Sequence, residues 1–154
     1  MTRPNIDSYF GMMALLVSSR GTCPRRRVGC VLVSKDARVL ATGYNGVPAG
    51  FQHCTEHPCE GATYASGLGL DKCEAIHAEQ NALLRAGDVT KIDAAYCTTA
   101  PCIHCVKLLL NTACQRIVFA EDYPHSDASK KLWEKAGRSW HFLPLEDDPN
   151  VSEY

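Results

Sequence analysis

Two cysteines three positions apart, Cys102 and Cys105, lie in the stretch TTAPCIHC at residues 98–105. Proline suits the first position of a helix, so the pattern predicts a strand ending at Thr99 and a helix beginning at Pro101. A helix N-terminus favours the thiolate form of cysteine, which is the form that binds metal. The pair is therefore a candidate metal site. For the motif alone, a redox pair, half of a structural zinc site or two core thiols are the alternatives.

A histidine and a glutamate in the stretch HAEQNALLRAG complete a candidate catalytic site. Catalytic zinc takes three protein ligands and leaves one position for water, and His77 is the expected third ligand. Zinc lowers the pKa of its water, and Glu79 could pass that proton to a ring nitrogen and then to a leaving amine. His-x-Glu followed by Pro-Cys-x-x-Cys is the signature of zinc deaminases, so we expect hydrolytic removal of an amino group from a ring. His104 is expected to be exposed or to lie behind the ligands.

The composition is that of one ordinary globular domain. The chain has 154 residues, 45% apolar and 21% charged, and we expect a single domain over residues 1–154. No apolar run approaches the roughly 20 residues that cross a bilayer, and the N-terminus lacks signal-peptide features. We therefore expect a cytoplasmic protein without a membrane partner. The net charge of −1 provides no basic field for nucleic acid, so a small anionic partner is expected.

Hydrophobic periodicity predicts helices and strands that alternate around the candidate site. The predicted helices cover residues 6–20, 77–86, 101–111 and 126–136, and the predicted strands cover 28–33, 38–44, 94–99, 116–120 and 139–143. This order indicates an α/β fold with helices on both faces of a sheet, and a hairpin of the first two strands makes the sheet mixed. Residues 46–74 form a Cys/His-rich insert, and a loop of that length is usually functional or stapled. Residues 144–154 form an acidic tail, expected to be loose or docked on another subunit.

The sequence resembles the cytidine and deoxycytidylate (dCMP) deaminase superfamily, and within it the dCMP deaminases. The resemblance is carried by GTCPRRRVGCVLV (21–33), ATGYNGVPAGFQHC (41–54), IHAEQNALL (76–84), TTAPCIHCVKLL (98–109) and VFAEDYP (118–124). It implies a three-layer α/β/α sandwich around a five-stranded sheet, and zinc-dependent hydrolysis of dCMP to dUMP and ammonia in support of thymidylate synthesis. It also implies a hexamer that dCTP activates and dTTP inhibits, and Mg²⁺ could accompany these nucleotide effectors.

The resemblance also assigns roles to residues around the substrate. Asn45 in TGYNG would bond the sugar hydroxyl, although an asparagine before Gly46 is also typical of a turn. Ala78 and Tyr123 would contact the substrate, and for Tyr123 simple packing is the alternative. The catalytic zinc would be held by His77, Cys102 and Cys105, with Glu79 as the proton carrier.

Three consecutive arginines precede the first predicted strand. A phosphate group needs cations or helix N-termini, and by resemblance Arg25 is the expected phosphate contact. Arg26 and Arg27 are weaker candidates, because three arginines together are usually a solvated surface.

A second group of cysteines surrounds the insert. Some dCMP deaminases carry a structural zinc there, and the insert has little apolar material, so a metal could provide its missing core. The expected ligands are Cys23, Cys54, Cys59 and Cys73, with His53, His57 or Glu74 as replacements, and free thiols in a flexible lid are the alternative. The remaining cysteines are predicted to be small core residues: Cys30, Cys97 and Cys114.

Rival functions share the two zinc motifs. A tRNA adenosine deaminase should carry basic residues near its tail, whereas this tail is acidic. A deaminase of free cytidine or of a nucleobase would have no need for Arg25. A non-catalytic zinc module would leave Glu79 without a role.

Overall fold

The computed structural model describes residues 3–145 and 151. The strands are β1 (Gly29–Ser34), β2 (Val39–Tyr44), β3 (Ile92–Thr99), β4 (Arg116–Glu121) and β5 (Ser139–Phe142). The helices are α1 (Ile6–Ser18), α2 (Ala78–Arg85), α3 (Ile103–Leu110) and α4 (Ser126–Lys135). The predicted tail lies outside the described residues from 146 onward, apart from residue 151.

The five strands form one mixed sheet in the order β2-β1-β3-β4-β5. β1 pairs antiparallel with both β2 and β3, whereas β3 with β4 and β4 with β5 are parallel pairs. Parallel neighbours require a crossover, which α3 and α4 provide. The predicted hairpin and the mixed five-stranded sheet are confirmed.

Helices cover both faces of the sheet, which makes three layers. α1 packs on one face, where Phe10 and Ala14 meet Val31 and Val33 of β1. On the other face, α2, α3 and α4 share a core with the alternate residues of the strands, including Cys30, Leu32, Ala82, Leu109, Ile117 and Trp133. β1 is a continuous apolar run because both of its faces are buried. The predicted α/β/α sandwich is confirmed.

The insert consists mainly of turns, with 3₁₀ helices at Glu60–Thr63 and Leu70–Lys72. An isolated bridge between Gly46 and Ile76 joins its two ends, because each of these residues donates its backbone N–H to the carbonyl of the other. The insert is thus a closed excursion from the sheet that returns directly to the start of α2. In the part of the chain that is described, no helix combines the length and apolarity that spanning a membrane requires.

Candidate active site

Three metal-binding side chains meet where α2 and α3 begin. Among the described residues, one group of this kind occurs: the ligand atoms of His77, Cys102 and Cys105 all lie within 4.8 Å of one another. Nδ1 of His77 is 3.4 Å from Sγ of each cysteine. Zinc with bonds of about 2.0–2.3 Å holds tetrahedral ligand atoms roughly 3.6 Å apart. The predicted ligand set is therefore brought together at a spacing that fits zinc.

The two cysteines are placed by the junction between β3 and α3. Here the prediction that Pro101 begins the helix is wrong, because α3 begins at Ile103 with Cys102 as its N-cap. The backbone N–H of Ala100 donates to the carbonyl of Glu121 at 2.9 Å, so the chain is still extended beside β4 at that point. Cys102 and Cys105 nevertheless lie at the first turn, and His104 between them is exposed, as predicted.

The helix α2 carries His77 as its N-cap and lies very close to β2. A Cβ at Gly43 would collide with the backbone carbonyl of Ala78 and the backbone nitrogen of Ala82. Asn81 also donates its side-chain amide to the carbonyl of Tyr44 at 2.8 Å. Because β2 has no side chain at Gly43, the backbone of α2 can approach the sheet and place its first turn beside the cysteines.

Glu79 is buried at the metal-binding group, with only 3% of the residue exposed. Burial raises the pKa of its carboxyl, although its own backbone N–H and the nearby His77 act in the opposite direction. The Cys105 thiol donates to Oε2 of Glu79 at 3.5 Å. A buried carboxyl with a raised pKa beside a metal site is suited to accept and release a proton.

The two thiols differ in their affinity for protons in the metal-free chain. The neighbouring Cys105 thiol lowers the pKa of Cys102 to about 3, and His77 also lowers it although burial opposes them. The proximity of Cys102 raises the pKa of Cys105, and burial adds to this effect. The hydrogen bond with Cys102 raises the pKa of His77. The lowered pKa of Cys102 favours its thiolate form, which is the form that a metal requires.

A pocket lies in front of this group. Its lining includes His77, Glu79, Cys102 and the predicted substrate contacts Arg25, Arg26, Asn45, Ala78 and Tyr123. The lining also includes residues that the sequence analysis did not assign to the pocket, namely Val28, Ser66, Gly67, Leu70, Ala75, Thr99 and Ala100, together with Cys23 and Cys73. Thr99 and Ala100 directly precede the Pro-Cys-x-x-Cys motif, which was an available signal. Nothing in the spacing of the insert marks Ser66, Gly67 or Leu70.

Asn45 and Arg26 are linked at one side of the pocket. The side-chain amide of Asn45 donates to the carbonyl of Arg26 at 2.8 Å, and its Oδ1 accepts from the backbone N–H of Val28 at 2.8 Å. Asn45 thereby orders the segment that carries the arginines. Nη1 of Arg26 is shielded from solvent and has no hydrogen-bond partner in the described structure. A buried donor without a partner is costly, so an acceptor that reached this nitrogen from the neighbouring pocket would relieve that cost.

The second group of cysteines is partly assembled. Burial raises the pKa of the Cys54 thiol, and Cys59 and Cys23 are close enough to Cys54 to affect that pKa as well. The backbone N–H of Glu74 lowers the pKa of Cys59 most, despite burial. A Cβ at Gly61 would lie 2.6 Å from Cα of Cys73, so the segments that carry Cys59 and Cys73 are in contact.

The comparison with protein families decides the classification. Residues 4–121 match the family described as the cytidine and deoxycytidylate deaminase zinc-binding region. This chain belongs to that family. Its sequence is 36% identical over 153 residues to the deoxycytidylate deaminase of Saccharomyces cerevisiae. The alignment covers 98% of this chain and 49% of the yeast protein. The chain thus spans about half the length of that relative.

Two phage proteins extend the comparison over the whole length of family members. The deoxycytidylate deaminase of Mycobacterium phage D29 is 38% identical over 128 residues, which covers 79% of this chain and 99% of the phage protein. The crystal structure of dCMP deaminase from the cyanophage S-TIM5, in complex with dCMP and dUMP, matches with a TM-score of 0.71 and 28% identity. That match covers 93% of this chain and 100% of the cyanophage chain. Within the family, these relatives are named as deoxycytidylate deaminases.

Proposed function

We propose that this chain hydrolyses dCMP to dUMP and ammonia with a zinc ion held by His77, Cys102 and Cys105. The observation that carries the proposal is the buried Glu79 beside the metal-binding group, at a pocket that Arg25 and Arg26 also line. The pocket therefore combines a proton carrier with a donor for an anion. A nucleoside monophosphate has a group for each of them, the amino-bearing ring and the phosphate.

When bound, zinc supplies a water of lowered pKa as the nucleophile. Glu79 accepts one proton of this water and gives it to the ring nitrogen, where it stays in dUMP; it then carries the second proton of the water to the departing amine, which leaves as ammonia, and the raised pKa of Glu79 favours both transfers. Ala78 and Ala100 line the pocket and contribute small apolar side chains to its wall. Tyr123 lines the same pocket and can pack against the base or the sugar.

The sugar and the phosphate are assigned to the side of the pocket where Asn45 and Arg26 lie. An amide has two donors and two acceptor lone pairs, so Asn45 retains one of each after its bonds to residues 26 and 28 and can bind a sugar hydroxyl. Arg26 is the primary phosphate donor in this proposal because its Nη1 lacks a partner. Arg25 adds positive charge to the same pocket.

We also propose the regulation and assembly that the family resemblance implies. In this proposal dCTP activates the enzyme and dTTP inhibits it, Mg²⁺ accompanies these effectors, and the active form is a hexamer. The dUMP formed would supply thymidylate synthesis in the cytoplasm. The support is the sequence similarity to deoxycytidylate deaminases over most of the chain.

A second, structural zinc is proposed for Cys23, Cys54, Cys59 and Cys73. Cys54 lies close to Cys59 and Cys23, and Gly61 brings the segment of Cys59 against Cys73; a closed four-ligand site there would stabilise an insert that has little regular structure. The backbone N–H groups of Gly61, Ala62 and Glu74 that surround the Cys59 thiol favour its thiolate form.

The proposed function is tested by substrate comparison. The purified, zinc-loaded chain is assayed with dCMP, CMP, deoxycytidine and a tRNA anticodon stem-loop, each with and without dCTP. We expect turnover of dCMP well above the others, and stimulation by dCTP. Turnover of the stem-loop alone, or equal turnover of deoxycytidine and dCMP, would replace the proposal with a tRNA or nucleoside deaminase. Turnover of dCMP without any effect of dCTP would remove only the regulation.

A further inference from the structure

Arg25 is bonded to a segment of the insert that is distant in sequence. Its Nη1 donates to the backbone carbonyls of Leu68, Ala65 and Tyr64, with distances of 2.6, 3.0 and 3.5 Å. The carbonyls converge on one nitrogen because residues 64–68 form a turn, in which the N–H of Leu68 donates to the carbonyl of Ala65 at 2.9 Å. A single charged donor therefore contacts most of the turn.

This turn forms part of the wall of the candidate active site. Ser66 and Gly67 line the pocket together with Arg25. A Cβ at Gly67 would lie 3.0 Å from the hydroxyl oxygen of Tyr123, so the turn reaches across to the residues that follow β4. The position of residues 64–68 thus decides how far the pocket is closed.

Apolar burial contributes little to holding the turn in place. Tyr64 is 43% exposed and Leu68 is 54% exposed. The turn lies between the two 3₁₀ helices, and Gly67 and Gly69 have positive φ values of 85° and 60°. Segments with few buried contacts open at low free-energy cost. The bonds from Arg25 are therefore a principal restraint on this part of the insert.

We propose that Arg25 is a positioning residue that holds residues 64–68 over the pocket, and that it is not the phosphate ligand. Arg26, whose Nη1 has no partner, is left to bind the phosphate. This inference rests on the proposed function for the identity of the substrate, whereas the restraint on the turn does not depend on any substrate. It departs from the sequence-based expectation that Arg25 contacts the phosphate.

The two roles differ in their dependence on the phosphate group. A phosphate ligand acts on dCMP and has no partner in deoxycytidine, so its loss lowers the ratio of the two kcat/KM values. A residue that closes the pocket acts on both substrates, so its loss lowers both kcat/KM values and leaves the ratio unchanged. Hydrogen bonds from charged donors are worth enough to make that loss about tenfold.

The experiment uses Arg25→Met, Arg26→Met and Arg27→Met in the full chain. Arg27 is exposed and outside the pocket lining, so its variant is a control for the change in charge. Hydrogen–deuterium exchange of residues 60–72 is measured without substrate, and kcat/KM is measured with dCMP and with deoxycytidine. For Arg25→Met we expect amide exchange at 64–70 to rise about tenfold and both kcat/KM values to fall together.

Opposite outcomes would overturn the inference. If Arg25→Met lowers the dCMP to deoxycytidine ratio about tenfold and leaves exchange at 64–70 unchanged, Arg25 is the phosphate ligand. If neither quantity changes, Arg25 has neither role. The exchange measurement also separates this inference from the proposed function, because it can be read even if the wild-type chain deaminates neither compound.

Discussion

Replacing Glu79 with glutamine tests the proposed chemistry most directly. Glutamine has nearly the same shape as glutamate, but its amide cannot carry a proton between water, ring and leaving amine. Among the described residues that line the pocket, Glu79 is the only carboxylate, so no neighbour can replace it. It is 3% exposed, which also keeps bulk water from taking over the transfer.

The expected loss follows from these two features. A positioned general acid–base contributes about 10²–10⁴-fold to a reaction rate. Because Glu79 would serve in both proton uptake and proton delivery, we expect kcat to fall by at least about 10³, which corresponds to roughly 4 kcal/mol of transition-state stabilisation. The metal ligands His77, Cys102 and Cys105 are unchanged, so zinc content and the Kd for dCMP should stay near their wild-type values.

The assay combines three measurements on the same preparation. Deamination of dCMP is followed by the loss of cytosine absorbance, zinc per chain by atomic emission, and dCMP binding by calorimetry. Activity above about a tenth of wild type in a zinc-loaded variant would refute the role of Glu79 as proton carrier, given the range expected for such a group. If activity falls only in proportion to lost zinc, Glu79 instead supports the metal ligands.

Three further predictions concern the framework of the site. In Gly43→Ala, the new methyl group would collide with the backbone of α2, so we expect a loss of about 1–3 kcal/mol in unfolding free energy together with lower kcat/KM, and unchanged values of both would show that α2 does not depend on this close approach. In Asp7→Asn, the bonds from Tyr96 and Arg116 are weakened. Burial raises the pKa of Asp7, but the two donors outweigh burial and lower the pKa overall. The contribution of Asp7 to stability is therefore full above about pH 4 and is lost as the pH falls through the folded-state pKa. We expect the variant to lose about 1 kcal/mol at pH 7 and progressively less below pH 4 in denaturant titrations, whereas a constant difference would contradict this linkage. In Cys59→Ser, we expect the zinc content to fall from two ions per chain to one. The control is Cys114→Ser, which alters a buried core thiol and should retain both ions. A zinc content of one ion in the wild-type chain would contradict the structural site.

Tertiary structure decided details that no spacing in the sequence contains. The position of Pro101 was predicted within the helix, but pairing of Ala100 with Glu121 of the neighbouring strand keeps the chain extended and delays the helix to Ile103. The approach of α2 to β2 depends on the absence of a side chain at Gly43, which acts only because the two elements pack together. The hydrogen bonds of Arg25 to residues 64–68 also depend on tertiary structure, because the carbonyls that accept them converge only in the folded insert.

The sequence by itself predicted the layers of the fold, which are confirmed, and it named the residues that meet at the candidate site. Period-two and helical patterns predict which faces of the strands and helices are buried. Few kinds of protein site combine a histidine, a glutamate and two cysteines in the order and spacing of His77, Glu79, Cys102 and Cys105. Both kinds of signal are local, so they can be read without a structure. Which donor is left without a partner, as for Nη1 of Arg26, depends on contacts between segments far apart in the chain. Only the tertiary structure decides such contacts, because they arise from packing between elements rather than from neighbouring residues.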